Sequence, residues 1–151
     1  MKIISLIKPQ RLMHLLSFWP PYFFAGISVI EVNEDFTKIK VQMNQRPWNT
    51  NYVGSHFGGS LYSMCDPFFM FILLHHLPGH IIWDKGASFR FKKPGYGKVI
   101  ATFEISKSSI DQIKKDAAQN YSISPIFKTN ILDETGDIIF ALEKTLYVKK
   151  K

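Results

Sequence analysis

One short segment that is apolar on every side, Pro67–Leu74, constrains the fold of this chain more than any other feature. It follows a polar loop with several glycines, Asn51–Gly59, and we expect a main helix over roughly Gly58–His76 that ends at Leu77-Pro78-Gly79. Strand-like segments precede and follow this helix. A mostly antiparallel sheet curled around the helix satisfies the burial pattern of both, which indicates an α+β architecture.

The flanking sequence predicts one N-terminal helix and a series of strands. A helix over Pro9–Trp19 is stopped by Pro20-Pro21, and an aromatic connector, Tyr22–Gly26, leads into the sheet. The further predicted elements are strands and one polar helix: Ile27–Val32, Phe36–Met43, His80–Phe91, Lys98–Ser106, the helix Ser109–Gln119 with Ser109 as N-cap, and a closing hairpin of Tyr121–Leu132 and Asp137–Val148. Their apolar members should face the helix or a subunit seam: Ala87, Phe89, Val99, Ala101 and Phe103.

A chain of 151 residues is long enough for one domain with a real core. We divide it into an N-terminal helical extension, residues 1–26, and a core, residues 27–148. The longest uncharged apolar run is far too short to span a bilayer, and Lys8, Pro9 and Arg11 interrupt the N-terminus before a signal-peptide core. The single cysteine excludes an intrachain disulfide. Together these features predict a cytoplasmic protein.

The chain is basic, with a formal net charge of +7. Such a charge favours anionic partners: nucleic acid, a phosphate-bearing cofactor or an acidic membrane face. The basic residues are dispersed and match no nucleic-acid motif, so we expect no nucleic-acid partner.

Chemistry is predicted at the junction of the polar loop with the helix. Gly58 and Gly59 leave two backbone N–H groups uncovered at the positive end of the helix dipole, where they can hold the oxygen of a polarised carbonyl. Asn51 upstream and Asp66 along the helix supply the other parts that acyl transfer or hydrolysis needs.

The string of Asn51, Gly54, Gly58, Gly59 and Asp66 resembles, in identity and spacing, the hotdog-fold acyl-CoA thioesterases, especially their phenylacetyl-CoA-thioesterase-like branch. That resemblance covers roughly residues 27–148 and implies a hotdog fold, here with an extra N-terminal helix. The family's histidine before the glycine pair is replaced by Phe57, and His56 stands one residue earlier. The chain therefore resembles an uncharacterised His-Phe-Gly-Gly sub-branch.

The resemblance implies hydrolysis of an acyl-CoA thioester. The N–H groups of Gly58 and Gly59 would bind the carbonyl oxygen, Asp66 in an apolar helix environment would act as general base or nucleophile, and Asn51 would position substrate or water. Asp66 follows Gly59 by seven residues, about 10 Å along a helix, which is too far for one carbonyl to meet both. We therefore expect a homodimer, or a tetramer of such dimers, with composite sites. Coenzyme A enters as part of the substrate, and no other cofactor is expected.

Several of these residues also have purely structural interpretations. Asp66 followed by Pro67 is a good N-cap for a restarted helix, and Asn51 is a common turn residue. His56 is either a substrate contact or a loop residue without a role. Phe57 beside it is a second candidate substrate contact.

The remaining candidates lie on the strands and at the end of the helix. Asp84 either faces the site or pairs with Lys85 or Arg90. Lys92 and Lys93 either meet the phosphates of coenzyme A or form an ordinary solvated edge. Three histidines invite a metal interpretation, but their spacing gives no common face and we expect no metal: His75, His76 and His80.

Two functions remain open at this stage. The first is an acyl-CoA thioesterase that takes a fatty or aryl acyl group, because Phe68, Phe69, Phe71 and the aromatic stretch Trp19–Phe24 indicate a roomy apolar pocket. The second is a non-catalytic acyl-CoA- or lipid-binding protein with the same fold. Asp66 favours the first function, and Phe57 in place of histidine favours the second.

Overall fold

Six antiparallel strands form one sheet in this protein, in the spatial order β1-β2-β4-β5-β6-β3. The structure is a computed structural model that describes residues 9–151, so the first eight positions of the predicted extension lie outside the described residues. The strand bounds are β1 Ile27–Val32, β2 Lys38–Asn44, β3 His80–Phe91, β4 Lys98–Glu104, β5 Ile126–Leu132 and β6 Ile138–Lys150. The predicted antiparallel α+β fold is confirmed.

Five α-helices accompany the sheet over the described range: α1 Pro9–Leu15, α2 Pro20–Ala25, α3 Gly58–Cys65, α4 Phe68–His76 and α5 Lys107–Gln119. A 3-10 turn, Leu16–Phe18, continues α1, and none of these helices is long and apolar enough to cross a membrane. The sheet wraps around α3 and α4. Phe68 and Phe103 sit in this core without solvent exposure, with ring centroids 4.9 Å apart.

The predicted continuous helix over Gly58–His76 is wrong, because it is broken into α3 and α4. Asp66 ends α3 by donating its backbone N–H to Ser63 O at 3.3 Å, and α4 restarts after Pro67. Pro67 has no N–H to continue the helical ladder, so the hydrogen bond from position 67 to Ser63 O cannot form. Asp66 therefore lies at the break between the two helices, where its side chain reaches Lys144 on β6.

Two local predictions are also corrected. The aromatic connector Tyr22–Gly26 is mostly helix, since Pro20 and Pro21 begin α2 instead of only ending the element before it. The N-cap of α5 is Ser106 and not Ser109, because the Ser106 hydroxyl accepts a hydrogen bond from the Ser109 N–H at 3.1 Å.

The two edges of the sheet differ. At β1 the outward backbone groups of Val29 are satisfied by the N-terminal helical segment: the N–H donates to Ser17 Oγ at 3.1 Å, and the carbonyl lies 2.9 Å from His14 Nδ1. At β3 the outer side has no partner strand within the described chain. Every β3 residue from Asp84 to Phe91 is exposed, including Ala87 and Phe89, which were predicted to face the helix or a seam.

Candidate active site

Asp66 lies at the break between α3 and α4, and its side chain is 51% exposed. No side-chain capping bond is made at the start of α4, so the interpretation of Asp66 as an N-cap is wrong. Its Oδ1 instead accepts a hydrogen bond from Lys144 Nζ at 2.8 Å. The apolar environment that we expected for Asp66 is also wrong, because its carboxylate is half exposed to solvent and forms an ion pair with Lys144.

Lys144 is the residue of the site that the sequence analysis missed. It lies on β6 with no solvent exposure. A sequence signal was present, because Lys144 occupies an inward position in the alternating buried series of that strand: Phe140, Leu142, Lys144, Leu146 and Val148. A buried ammonium needs partners, and a lysine in an apolar series therefore indicates a nearby carboxylate.

Asp84 is the second partner of this ammonium, with its Oδ2 2.6 Å from Lys144 Nζ. The predicted partners of Asp84 are wrong, since Lys85 Nζ donates to Ser124 Oγ at 3.0 Å and Arg90 makes no ion pair among the described residues. A register shift between Asp84 and Gly86 interrupts the pairing of β3 with β6. This bulge allows Asp84 to reach the inward face beside Lys144.

The three charged groups interact strongly. Burial raises the pKa of Asp84, hydrogen bonding to Lys144 lowers it, and the neighbouring Asp66 raises it, with a net increase. Burial disfavours the ammonium of Lys144, but the two carboxylates outweigh it, so the pKa of Lys144 is raised. The lysine is therefore a permanent cation at neutral pH, and it fixes one oxygen of Asp66. The carboxyls of Asp66 and Asp84 also lie within hydrogen-bonding distance of each other.

The glycine pair forms the first turn of α3, as predicted. Neither the Gly58 N–H nor the Gly59 N–H donates to an acceptor in the described part of the chain. Packing also requires glycine here: a Cβ on Gly58 would approach Phe91 Cζ to 2.8 Å, and a Cβ on Gly59 would collide with the Phe57 ring. Two N–H donors without acceptors in the described chain thus lie beside the rings of Phe57 and Phe91 at the start of α3.

Asn51 orders the loop that leads to the glycine pair. Its Oδ1 accepts from the N–H groups of Val53 and Ser55, each at 3.1 Å. Its Nδ2 donates to Ser55 Oγ at 2.8 Å and to His56 O at 3.3 Å. The side chain is fully engaged within the loop, which favours the turn interpretation. A direct contact with substrate stays a prediction.

His56 is almost completely buried beneath this loop, at 2% exposure. Its Nε2 lies 3.0 Å from Gly97 O, and its Nδ1 has no hydrogen-bond partner among the residues that the structure describes. Burial lowers the pKa of His56, which favours the neutral imidazole. Phe57 is half exposed and covers Gly59.

The predicted site residues line two different cavities. One, of about 470 Å³, is lined at its polar end by Asn51, His56, Gly58, Lys92 and Lys93. The other, of about 750 Å³, lies along the N-terminal helices and includes Asp66 in its wall. Asp66 is not among the residues that line the first cavity. A single subunit thus keeps the candidate base and the candidate oxyanion donors in different cavities.

The two predicted phosphate-binding lysines differ in their surroundings. Lys93 pairs with Asp137 and, at 3.1 Å, with Asp133. Lys92 lines the first cavity and forms no ion pair in the described range. Lys92 is therefore the more available cation of the two.

The cysteine and the histidines at the end of α4 are engaged in packing or in local contacts. Cys65 is buried, and burial raises the pKa of its thiol, which keeps it protonated. The His75 ring packs on Phe36 at 4.6 Å, and His76 Nε2 lies 3.2 Å from the Phe36 carbonyl oxygen. Residues 9–151 contain no group of three His, Cys, Asp or Glu side chains placed to hold a metal ion.

Comparison with known proteins identifies the fold. A family model described as "Domain of unknown function (DUF4442)" matches residues 10–148. No curated protein matches the chain. Among solved structures, a protein of unknown function and probable thioesterase from Pseudomonas aeruginosa, PA5026, is similar over 96% of this chain and 97% of that one, with a TM-score of 0.85 and 15% identity.

Two further structures give the same result at lower scores. The thioesterase HI1161 from Haemophilus influenzae has a TM-score of 0.69 at 14% identity, covering 93% of this chain and 90% of that one. The Escherichia coli PaaI protein of the phenylacetic acid degradation operon has a TM-score of 0.62 at 15% identity, covering 93% and 92%. At such identities the likeness shows the hotdog fold alone.

Proposed function

The chain belongs to the DUF4442 family, and we propose that it is a thioesterase that hydrolyses a fatty or aryl acyl-CoA at a site shared by two subunits. The ion pair of Asp66 with the buried Lys144 carries this proposal. This ion pair holds Asp66 Oδ1 in place beside an apolar cavity, while half of the Asp66 side chain remains exposed to solvent. The names of the structural relatives, which include thioesterases, support the same reaction class.

Asp66 supplies the reactive group in this mechanism. With Oδ1 held by Lys144, Oδ2 accepts a proton from water, and the resulting hydroxide attacks the thioester carbon. The C–S bond of the tetrahedral intermediate then breaks, and the leaving thiolate takes up the proton from Asp66. Because the pKa of Lys144 is raised, its ammonium stays charged and keeps Asp66 Oδ1 in place throughout the reaction.

The free N–H groups of Gly58 and Gly59 hold the oxyanion of that intermediate. They are preorganised at the start of α3, with Phe57 and Phe91 limiting access from the side. In known enzymes, removal of one such donor lowers kcat by about 10²–10³-fold.

A second subunit joins the two halves of the site. Edge strand β3 is twelve residues long and carries exposed aromatic side chains such as Phe89 and Phe91. A long apolar edge strand without a partner favours pairing with another chain. Two-fold pairing along β3 would extend the sheet across both subunits and bring Gly58 of one subunit towards Asp66 of the other. In that arrangement Lys92 is the candidate contact for the phosphates of coenzyme A.

A substrate panel tests the proposal directly. Purified protein is assayed with acyl-CoA thioesters by release of free thiol, in parallel with Asp66→Asn. We expect hydrolysis by the wild type and at least a thousandfold loss in the variant, because an amide cannot accept the proton. The fold of the variant should be retained, since Asn keeps the shape and one oxygen for Lys144. Wild-type turnover by Asp66→Asn would contradict the mechanism.

The second candidate function is non-catalytic binding of acyl-CoA. It is favoured by Phe57, which stands where the resembled family has a histidine and which leaves no imidazole beside the glycine pair except the buried His56. Saturable binding of acyl-CoA without thiol release from any substrate would support this function over hydrolysis.

A further inference from the structure

The cavity beside Asp66 is a groove between the N-terminal helical segment and α4. We call it the N-terminal groove: Leu12, Leu15 and Trp19 line one wall, and Met70 and Phe71 line the other. Its volume of about 750 Å³ is within the range of small-ligand sites. The N-terminal wall lies within residues 10–148, the part of the chain that the family model matches.

The N-terminal wall is held in place by specific contacts. Ser17 and His14 bind the backbone of Val29 on β1, at 3.1 and 2.9 Å. Met13 and Tyr22 are buried against the core, and the Tyr22 hydroxyl donates to Ser63 O at 3.2 Å. The groove is therefore formed before any ligand binds, and the tyrosine presents only its ring to it.

The lining of the groove selects an apolar ligand with a polar end. Asp66 is the only charged residue that lines it, and the other lining residues are aliphatic, aromatic or sulfur-containing, or proline. No lysine or arginine lines it, so it offers nothing to the phosphates of coenzyme A. Of these two cavities, the one that contains Lys92 and Lys93 offers cations to those phosphates.

We propose that the N-terminal groove binds the acyl chain of the substrate, as an unbranched aliphatic chain whose carbonyl end lies at Asp66. This inference rests on the proposed function and adds a substrate class to it. The thioester would then lie at the boundary between the two cavities, with the acyl chain on the subunit that supplies Asp66 and coenzyme A on the subunit that supplies Gly58.

The length of the N-terminal wall predicts the length of the acyl chain that the groove can cover. Leu12 and Trp19 are seven residues apart, across the end of α1 and the 3-10 turn, which corresponds to about 12 Å along the segment. An extended hydrocarbon advances about 1.25 Å per bond, so roughly ten bonds are covered. Longer chains project into solvent at the open end. The groove therefore favours medium chains, and extra methylenes beyond that length gain little.

A chain-length series tests this inference. We expect kcat/KM to rise about fourfold per methylene from butyryl-CoA to octanoyl- or decanoyl-CoA, since each CH2 leaves water, and then to level off towards palmitoyl-CoA. Met70→Trp, which fills the groove from the α4 side, should move the plateau to shorter chains.

A matched pair of arginine substitutions locates the effect. Leu15→Arg places a charge in the groove at a half-exposed position, and Leu74→Arg places the same charge at an exposed position of α4 outside it. We expect Leu15→Arg to lower the ratio of kcat/KM for decanoyl-CoA over butyryl-CoA at least tenfold. Leu74→Arg should leave that ratio unchanged.

The outcomes separate this inference from hydrolysis itself. Turnover that is independent of chain length, or equal effects of the two arginines, would overturn the groove assignment and leave the thioesterase proposal intact. If no substrate is hydrolysed, binding is measured by quenching of tryptophan fluorescence with the same acyl-CoA series. Tighter binding of decanoyl-CoA than butyryl-CoA, lost in Leu15→Arg, would then support the groove and reject hydrolysis. Equal binding of both chain lengths would overturn it.

Discussion

The ammonium of Lys144 lies 2.8 Å from the carboxylate of Asp66, and joins the inward face of β6 to the break between α3 and α4. The lysine has no solvent exposure, whereas the aspartate side chain is half exposed. The cation is thus fixed by the core, and the carboxylate is fixed by the cation. This relationship gives Asp66 an orientation that a flexible surface carboxylate lacks.

Replacement of Lys144 by methionine should change both stability and pH dependence. The free energy of unfolding is expected to fall by about 1–3 kcal/mol, since Asp84 loses its partner while partly buried. Without the cation, Asp84 loses the hydrogen bond that lowers its pKa, so the pKa of Asp84 should rise further and the acid limb of the kcat/KM profile should move to higher pH. Urea unfolding and a pH–rate profile measure the two effects.

Lys85→Met is the matched control, because Lys85 is an exposed lysine of the neighbouring strand that binds Ser124. Lys85→Met should change the free energy of unfolding by no more than about 0.5 kcal/mol and should leave the pH profile unshifted. An unshifted pH profile in Lys144→Met would show that the lysine is only a structural residue.

Mixing two inactive variants tests whether the site is shared. A heterodimer of Asp66→Asn with Gly58→Val contains one site in which Asp66 and Gly58 are both intact. Unfolding and refolding the two variants together should restore up to about a quarter of wild-type activity, from random pairing of subunits. Each variant refolded alone is the control. Absence of recovery, with heterodimers present by native mass spectrometry, would place both residues in the same subunit's site.

The contact between Phe57 and Gly59 predicts a compensating pair of substitutions. Gly59→Ala should destabilise the fold by up to about 1 kcal/mol, because its Cβ must displace the half-exposed Phe57 ring. In Phe57→Ala the space is free, and adding Gly59→Ala there should cost less than 0.5 kcal/mol, since alanine is the better helix former. Thermal or urea unfolding of the four proteins gives the coupling. Additive effects would contradict the packing explanation.

His56 should make the fold less stable in mild acid. Burial lowers its folded-state pKa, so the unfolded chain binds the proton more readily, and stability falls as pH drops below about 6.5. His56→Gln retains a donor towards Gly97 O but does not titrate. We expect its free energy of unfolding to decline less steeply between pH 6.5 and 5 than that of the wild type. An identical slope would show that His56 accepts its proton without unfolding.

Period-two alternation predicted most of the core. Val99, Ala101 and Phe103 are buried as expected, because β4 has one face towards the helices. The same alternation contained Lys144, but a charged residue in an apolar series is easily assigned to the surface. Only the placement of Asp66 and Asp84 around it, which depends on long-range packing, explains why a lysine is stable there.

Other features were beyond local sequence rules. From the sequence alone, the Asp66 side chain could cap the helix that restarts after Pro67 or point away from it. The ion pair with Lys144 decides between the two, because it draws the carboxylate towards the sheet. The exposure of Phe89 follows from its position on an edge strand, and strand order is not encoded in the periodicity of one strand. The glycine spacing, by contrast, predicted the start of α3 at Gly58.

The difference between the two sheet edges limits how many subunits can join by adding strands. At β1 the outward N–H and carbonyl of Val29 are already occupied by Ser17 and His14, so no further strand can add at that position. Any copy that joins through β3 presents its own protected β1 at the far end. A sheet extended in this way terminates after two chains instead of continuing as a fibril, and the N-terminal helical segment acts as the terminator.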